Sequence, residues 1–253
     1  MGPTGAIHGF EAAAGPYERS RPEYPADAVD LLARLLSLRT GRTLLDLGAG
    51  TGKLSRLAAA RGATVVALEP SAAMIRQAGG KGVLLVRALA EALPVRRHAV
   101  DAICAASAFH WFDGRRALGE AHRALRHGGR LALVWNVRDD AVPWVAALSA
   151  IVNRHEGDAP RYRTGAWHAA FDAARDLFRP VEEAHFPNAH ALPPEGVVER
   201  IASVSFVAAM PEAERAAVLA EVRALLATHP DTAGKDELVL AYRTDVFVWE
   251  RVG

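Results

Sequence analysis

A chain of 253 residues, 51% of them apolar, can bury one substantial core and matches the size of a single α/β domain with additions. Its formal charge of +1 supplies no general electrostatic drive toward nucleic acid or an acidic membrane, so a small neutral or anionic partner fits better. The single cysteine, Cys104, excludes an intramolecular disulfide and argues against a cysteine-built zinc site.

In chain order, the first clear pattern is amphipathic. Val29, Leu32, Leu35 and Leu36 share one side of residues 25–38, which predicts a helix packed on a sheet. From residue 26 to about 137, strand-length apolar runs alternate with helical patterns, the signature of repeated βαβ units and a parallel sheet. Strands are expected at 43–47, 64–69, 83–87, 100–105 and 130–135. Between them, 55–61 carries a glycine-rich turn onward as a helix. Ser71 caps a helix that runs to Ala78 and ends at Gly79 and Gly80, and 114–125 forms a helix stopped by Gly128 and Gly129.

Beyond Trp135 the pattern changes. Residues 143–152, 167–177, 195–203 and 211–228 read as helices, and 238–249 alternates like a strand. There is no internal repeat and no low-complexity linker, so this part reads as a cap grown between late strands. The expected organisation is one domain over 1–253, with an amino-terminal helical cap at 1–39, a cofactor-binding core at 40–137, and a substrate cap with late strands at 138–253. No run approaches the roughly 18 apolar residues of a membrane span, and the first ten residues lack a basic segment followed by an apolar one. Cytoplasmic residence without membrane attachment is the expectation.

The richest chemical signal is Leu44, Leu45, Asp46, Leu47, Gly48, Ala49, Gly50, Thr51 and Gly52, a buried-strand pattern running into alternating glycines. Glycines there let the backbone approach a ligand closely, and the following helix offers unpaired amides. A dinucleotide fingerprint needs a third small residue at position 53, which is Lys53, so an NAD(P)-dependent oxidoreductase is disfavoured. A phosphate loop needs a hydroxyl after Gly52 and Lys53, and Leu54 stands there instead.

Asp46 followed by Gly48, Gly50 and Gly52 resembles the first motif of the class I S-adenosylmethionine-dependent methyltransferases. Further matching pieces follow in order. Glu69, before Pro70, ends the second strand; a carboxylate with two oxygens suits a ribose diol. Ala88, Leu89, Ala90, Glu91, Ala92, Leu93 and Pro94 are similar to the family's segment beside the adenine, with Ala88 replacing a glycine. Arg123, Leu125, Gly128, Gly129 and Leu131 are similar to its segment before the fifth strand. The resemblance spans about residues 10–137. It implies an α/β fold with a doubly wound, mostly parallel, Rossmann-like seven-stranded sheet, helices on both faces and a helical cap. It also implies S-adenosyl-L-methionine as cofactor, S-adenosyl-L-homocysteine as product, and no metal.

Tyr17 to Pro25, the His110, Trp111, Phe112, Asp113 loop, and Val134 to Asp139 resemble the small-molecule branch that includes trans-aconitate methyltransferase-like proteins. By that resemblance Tyr17, Arg21, Asp46, Gly48, Ala49, Gly50, Gly52, Glu69, Pro70, Ala90, Glu91 and Ser107 border the cofactor. Asp46 either orients the turn or receives the cofactor's amino group. Glu91 acts through its side chain or through backbone alone. Tyr17 and Arg21 either cover the methionine end or tie the segment to the core. His110, Trp111, Trp135, Asn136 and Arg138 stand where the substrate belongs, His110 as general base or substrate contact, and Arg138 suited to a carboxylate. The expected reaction is in-line methyl transfer to a small molecule, with a carboxylate or hydroxyl oxygen favoured, by a monomer or homodimer. The absence of an Asn-Pro-Pro-Tyr or Asp-Pro-Pro-Tyr sequence after strand four argues against nucleic acid. A non-catalytic S-adenosylmethionine-binding regulatory protein is the alternative from another class.

Overall fold

The computed structural model of the protein describes residues 21–78, 82–157 and 160–253. Seven strands form one sheet in the order β3-β2-β1-β4-β5-β7-β6. They are β1 (Thr43–Leu47), β2 (Thr64–Leu68), β3 (Val83–Val86), β4 (Val100–Ala106), β5 (Leu125–Arg138), β6 (Phe178–Leu192) and β7 (Leu238–Arg251). β1 to β5 pair in parallel, with Asp46 opposite Ala67 on one side and Cys104 on the other. The strand order therefore reverses between β1 and β4. In a doubly wound sheet that reversal opens a crevice at the strands' carboxyl ends, and the glycine turn leaves β1 there.

The helices are α1 (Ala26–Leu35), α2 (Lys53–Ala59), α3 (Ala72–Ile75), α4 (Gly114–Ala124), α5 (Pro143–Asn153), α6 (His168–Asp172), α7 (Pro194–Ala202), α8 (Ser205–Ala208) and α9 (Glu212–Thr228). Pro25 caps α1, where its missing N–H costs nothing. Ala28 and Leu32 of α1 pack with Leu44, Leu54, Val65, Ala102 and Val134 in one core cluster. Each buried leucine contributes roughly 2 kcal/mol through the apolar area removed from water. Among the described residues no helix is long and apolar enough to cross a membrane.

Three expectations change. The helix capped by Ser71 is one turn, Ala72–Ile75, with the Ser71 hydroxyl accepting from Met74 N–H at 3.3 Å. The helix expected at 167–177 shrinks to His168–Asp172. Gly128 and Gly129 do not stop α4; it ends at Ala124 and β5 begins at once. Pairing jumps from Val100 opposite Leu125 to Ala102 opposite Arg130, so residues 126–129 form a bulge that the two glycines permit. At Gly129 a Cβ would lie 2.9 Å from the Arg126 carbonyl oxygen, so no side chain fits. β6 had no counterpart in the sequence reading. Pro180 and Pro187 lie within it and bring no N–H to its ladder, and it lies at the sheet's edge, where proline is tolerated.

The described chain divides into two compact units. One holds residues 24–78, 82–135, 160–186 and 244–253; the other holds 21–23, 136–157 and 187–243. Segments 160–186 and 244–253 join the first unit because the late strands complete its sheet. The second unit has its own core, in which Trp144, Leu148, Val197, Ile201, Val222 and Leu240 are buried. Within it the buried Arg200 donates to the Tyr242 hydroxyl at 3.0 Å.

Candidate functional site

The glycine turn is held by its own backbone. Gly48 and Ala49 N–H groups both donate to the Leu68 carbonyl, at 2.8 and 3.0 Å, and Gly52 N–H donates to Ala49. Gly48, Gly50 and Gly52 all have positive φ, a conformation that costs other residues about 1–2 kcal/mol. Their side-chain positions differ in meaning. A Cβ on Gly48 would meet Ala108 Cβ at 2.7 Å and Phe112 at 3.3 Å, and one on Gly52 would meet the Ala78 carbonyl oxygen at 2.8 Å. A Cβ on Gly50 would meet nothing within 4 Å. Gly48 and Gly52 are therefore glycines for close packing of the protein on itself, whereas Gly50 faces open space.

Asp46 is 1% exposed and its carboxylate is fully engaged. The Ser55 hydroxyl of α2 donates to it at 2.5 Å and the Cys104 thiol of β4 at 3.4 Å. Burial raises its pKa to about 6, against the lowering effect of those bonds, and burial beside Asp46 raises the thiol well above its ordinary value. These contacts fasten β1 to its flanking helix and strand.

Glu69 closes the turn from the next strand. Its Oε2 accepts from Gly50 N–H at 2.9 Å and its Oε1 from Ser71 N–H at 2.8 Å. Burial raises its pKa, and the two amides pull the other way. A carboxylate has about four lone-pair sites, so both oxygens can still accept from a diol. The Pro70 carbonyl receives Arg87 Nε at 2.9 Å. Ala90 is buried, and the Glu91 side chain accepts from Asp113 N–H at 2.8 Å, tying its segment to the start of α4. Arg123 braces the same segment by donating to the Leu93 and Val95 carbonyls and to Glu120, which itself receives Leu93 N–H.

β4 ends in a sharp loop. Ser107 has φ of +53° and donates its N–H to the Val134 carbonyl at 2.7 Å. A non-glycine residue held in that region is strained and tends to mark a functional turn. One 3₁₀ turn, Phe109–Trp111, follows. Ala108 and Phe112 touch Gly48, so His110 and Trp111 are carried next to the glycine turn.

Around them stands an aromatic wall that the sequence reading did not assemble. Trp135 is 2% exposed and its indole N–H donates to His110 Nδ1 at 3.1 Å. Its ring lies 4.7 Å from Tyr162, 4.9 Å from Trp167 and 6.1 Å from Phe247 between centroids. The Arg161 guanidinium stacks over Trp111 at 5.3 Å, and burial lowers its pKa. Asp245, 0% exposed, receives the Tyr162 hydroxyl at 2.6 Å and lies 2.7 Å from His185 Nδ1. No local signal could have found this group, because its members come from β5, β6, β7 and the 160–171 segment.

The remaining expected residues belong to the second unit or lie outside the described residues. Arg21 donates to the Ser203 carbonyl at 3.5 Å. Asn136 donates to the Pro22 and Glu23 carbonyls and accepts from Asn188. Arg138 donates to Ser149 Oγ at 2.8 Å and Asn153 Oδ1 at 3.1 Å, contacts that brace α5. Tyr17 lies outside the described residues. Among those described, no cluster of three or more His, Cys, Asp or Glu could hold a metal ion.

Residues 45–133 match the methyltransferase-domain family. An uncharacterized methyltransferase of Mycobacterium tuberculosis is 40% identical over 238 residues, covering 93% of this chain and 92% of the relative. A malonyl-[acyl-carrier protein] O-methyltransferase of Methylococcus capsulatus is 44% identical over 97 residues, 35% of each chain. Among solved structures, one from Anaeromyxobacter dehalogenans, proposed to be a type II methyltransferase, superposes with a TM-score of 0.67 at 26% identity, covering 91% of this chain and 97% of that one.

Proposed function

This chain belongs to the class I S-adenosylmethionine-dependent methyltransferases, and we propose that it methylates an oxygen of a small molecule, carboxylate or hydroxyl, by in-line displacement. Membership leaves no place for the nicotinamide reading of the glycine turn. The observation that carries the proposal is the open space at Gly50, bounded by the Glu69 carboxylate and flanked by the loop that carries His110 and Trp111. Two features support a cofactor there: a Cβ on Gly50 meets no protein atom within 4 Å, and the acidic residue bonded to its N–H suits ribose hydroxyls.

When bound, S-adenosylmethionine supplies a methyl group on a positively charged sulfur. The chain contributes binding, orientation and exclusion of water, the effects that matter most when charge disappears in the transition state. Glu69 would accept the ribose hydroxyls, and the backbone at Gly50 and Ala90 would border the nucleoside. The face of Phe112 suits a sulfonium. The aromatic side chains of the 160–171 segment favour an acceptor with an apolar body over a polymeric one. The resemblance of the His110 to Asp113 loop to the trans-aconitate methyltransferase-like branch is in keeping with the same reading, as is the O-methyltransferase relative from Methylococcus capsulatus.

Calorimetry with S-adenosylhomocysteine, followed by an acceptor screen read as S-adenosylhomocysteine formation, tests the proposal. Binding together with turnover of carboxylic acids, alcohols or phenols is expected. Turnover confined to amines or to nucleic acid would overturn it.

A further inference from the structure

The second unit buries a cation without an anion. Arg200 lies in the last turn of α7 and is 5% exposed. Its Nε donates to the Tyr242 hydroxyl at 3.0 Å, and its Nη1 reaches Ser203 Oγ at 3.4 Å, long for a hydrogen bond. Both partners are neutral. Ser203 Oγ gives its own proton to the Arg200 carbonyl at 2.7 Å, so it meets the guanidinium as an acceptor only. The acidic residues of α7 are engaged elsewhere: Glu195 pairs with Arg223 of α9, and Glu199 is exposed. Among the described residues no carboxylate reaches Arg200. The carboxyl-terminal dipole of α7 favours a cation there, but with roughly half a charge it offsets only part of the cost of burying a guanidinium.

A buried charge is ordinarily paired, and a buried donor ordinarily has an acceptor. Two donors here have none among the described residues. One is Nη2 of Arg200; the other is the Tyr242 O–H, whose oxygen receives Nε while its proton is directed to no acceptor. Tyr242 is 2% exposed and shares its core with Val197, Val198 and Ile201 of α7. At the same helix end Arg21 donates to the Ser203 carbonyl at 3.5 Å, which brings a second guanidinium toward it.

We propose that Arg200 and Tyr242 form a binding site for a small organic carboxylate, separate from the cofactor. One negative charge matches the one buried cation, and two oxygens match the two donors. A phosphate dianion carries more charge and more acceptor oxygens than this pair satisfies. The site does not depend on the methyl-transfer reading, and Arg21, Arg200, Ser203 and Tyr242 all belong to the second unit.

The test titrates the whole protein with the sodium salts of acetate, butyrate and benzoate, with the amides of the same acids, and with inorganic phosphate. ¹⁵N NMR of the arginine side chains reads the titration. The carboxylates are expected to shift the Arg200 signals to saturation, and the amides and phosphate are not. Arg200→Lys keeps the charge and loses the planar fork, and Tyr242→Phe removes the second donor; each should weaken carboxylate binding by about tenfold or more with native circular dichroism. If Arg200→Lys does not fold, Tyr242→Phe decides. No saturable Arg200 shift with any of the three carboxylates, equal binding of the amides, or unchanged binding in Tyr242→Phe would overturn the proposal. The titration is then repeated in saturating S-adenosylhomocysteine. Unchanged carboxylate affinity is expected; competition would mean that the cofactor's own carboxylate fills the site and would sink a separate one. A cofactor that fails to bind at all would refute the functional reading and leave the first titration standing. Arg200→Lys also tells the source of the carboxylate, either of which supports the site: a raised KM for the methyl acceptor marks the acceptor's own group, and an unchanged KM marks a different organic acid.

Discussion

The glycine turn and the aromatic wall, two sides of one candidate site, are built in opposite ways. The turn uses backbone atoms from a contiguous stretch, Asp46 to Gly52, closed by one carboxylate from the neighbouring strand. The wall uses side chains alone, drawn from β5, β6, β7 and the segment 160–171, and joined by ring contacts and two long-range bonds into Asp245. Backbone-built sites tolerate little change of conformation but much change of neighbour, and side-chain-built walls behave the other way. The proposed function assigns the cofactor to the turn and the acceptor to the side of the wall.

Gly50→Val strikes the turn hardest. The positive φ penalises the new side chain and the open space is filled, so S-adenosylhomocysteine affinity should fall by about 100-fold or more while far-UV circular dichroism stays native. Near-normal affinity in calorimetry would move the cofactor elsewhere.

Asp46→Asn probes the anchoring of the turn through pH. The folded-state pKa of about 6 exceeds the ordinary 3.8, so between those values the folded protein binds more protons than the unfolded chain. Wild-type stability should therefore fall as pH rises through that window, by on the order of 2–3 kcal/mol, relative to the asparagine variant. Urea titrations at pH 4.5 and 7 measure it; parallel changes in both proteins would contradict a buried, ionising Asp46.

Tyr162→Phe tests the wall. Removing the hydroxyl that donates to fully buried Asp245 should cost about 2 kcal/mol in urea unfolding, and S-adenosylhomocysteine affinity should not change. A matching loss of cofactor affinity would mean that turn and wall act as one unit. Glu69→Gln should produce the smallest effect, a roughly tenfold weaker S-adenosylhomocysteine complex, because the amide still accepts one of the two backbone bonds. Wild-type affinity in that variant would remove Glu69 from the ribose.

Much of the first 135 residues was legible in the sequence, for a physical reason. β1 to β4 are short, apolar and flanked by glycine or by helix caps, so local pattern and fold agree. The bulge at 126–129 was misread because paired glycines serve a helix end and a strand bulge equally well, and only the register of β4 against β5 distinguishes them. β6 escaped notice because an edge strand can carry Pro180 and Pro187 without losing bonds that matter. Arg138, expected beside the substrate, donates to Ser149 and Asn153 of α5, a pairing no spacing rule announces.

By itself the sequence determined the family and the glycine turn: the glycines, Asp46 and Glu69 lie within 24 residues of one another, and their backbone geometry is one that spacing encodes. Only the tertiary structure decided the aromatic group around Trp135. Trp135 and His110 are 25 residues apart, and Tyr162 and Asp245 are 83 apart. Which carboxylate is buried is set by long-range packing that no local pattern records.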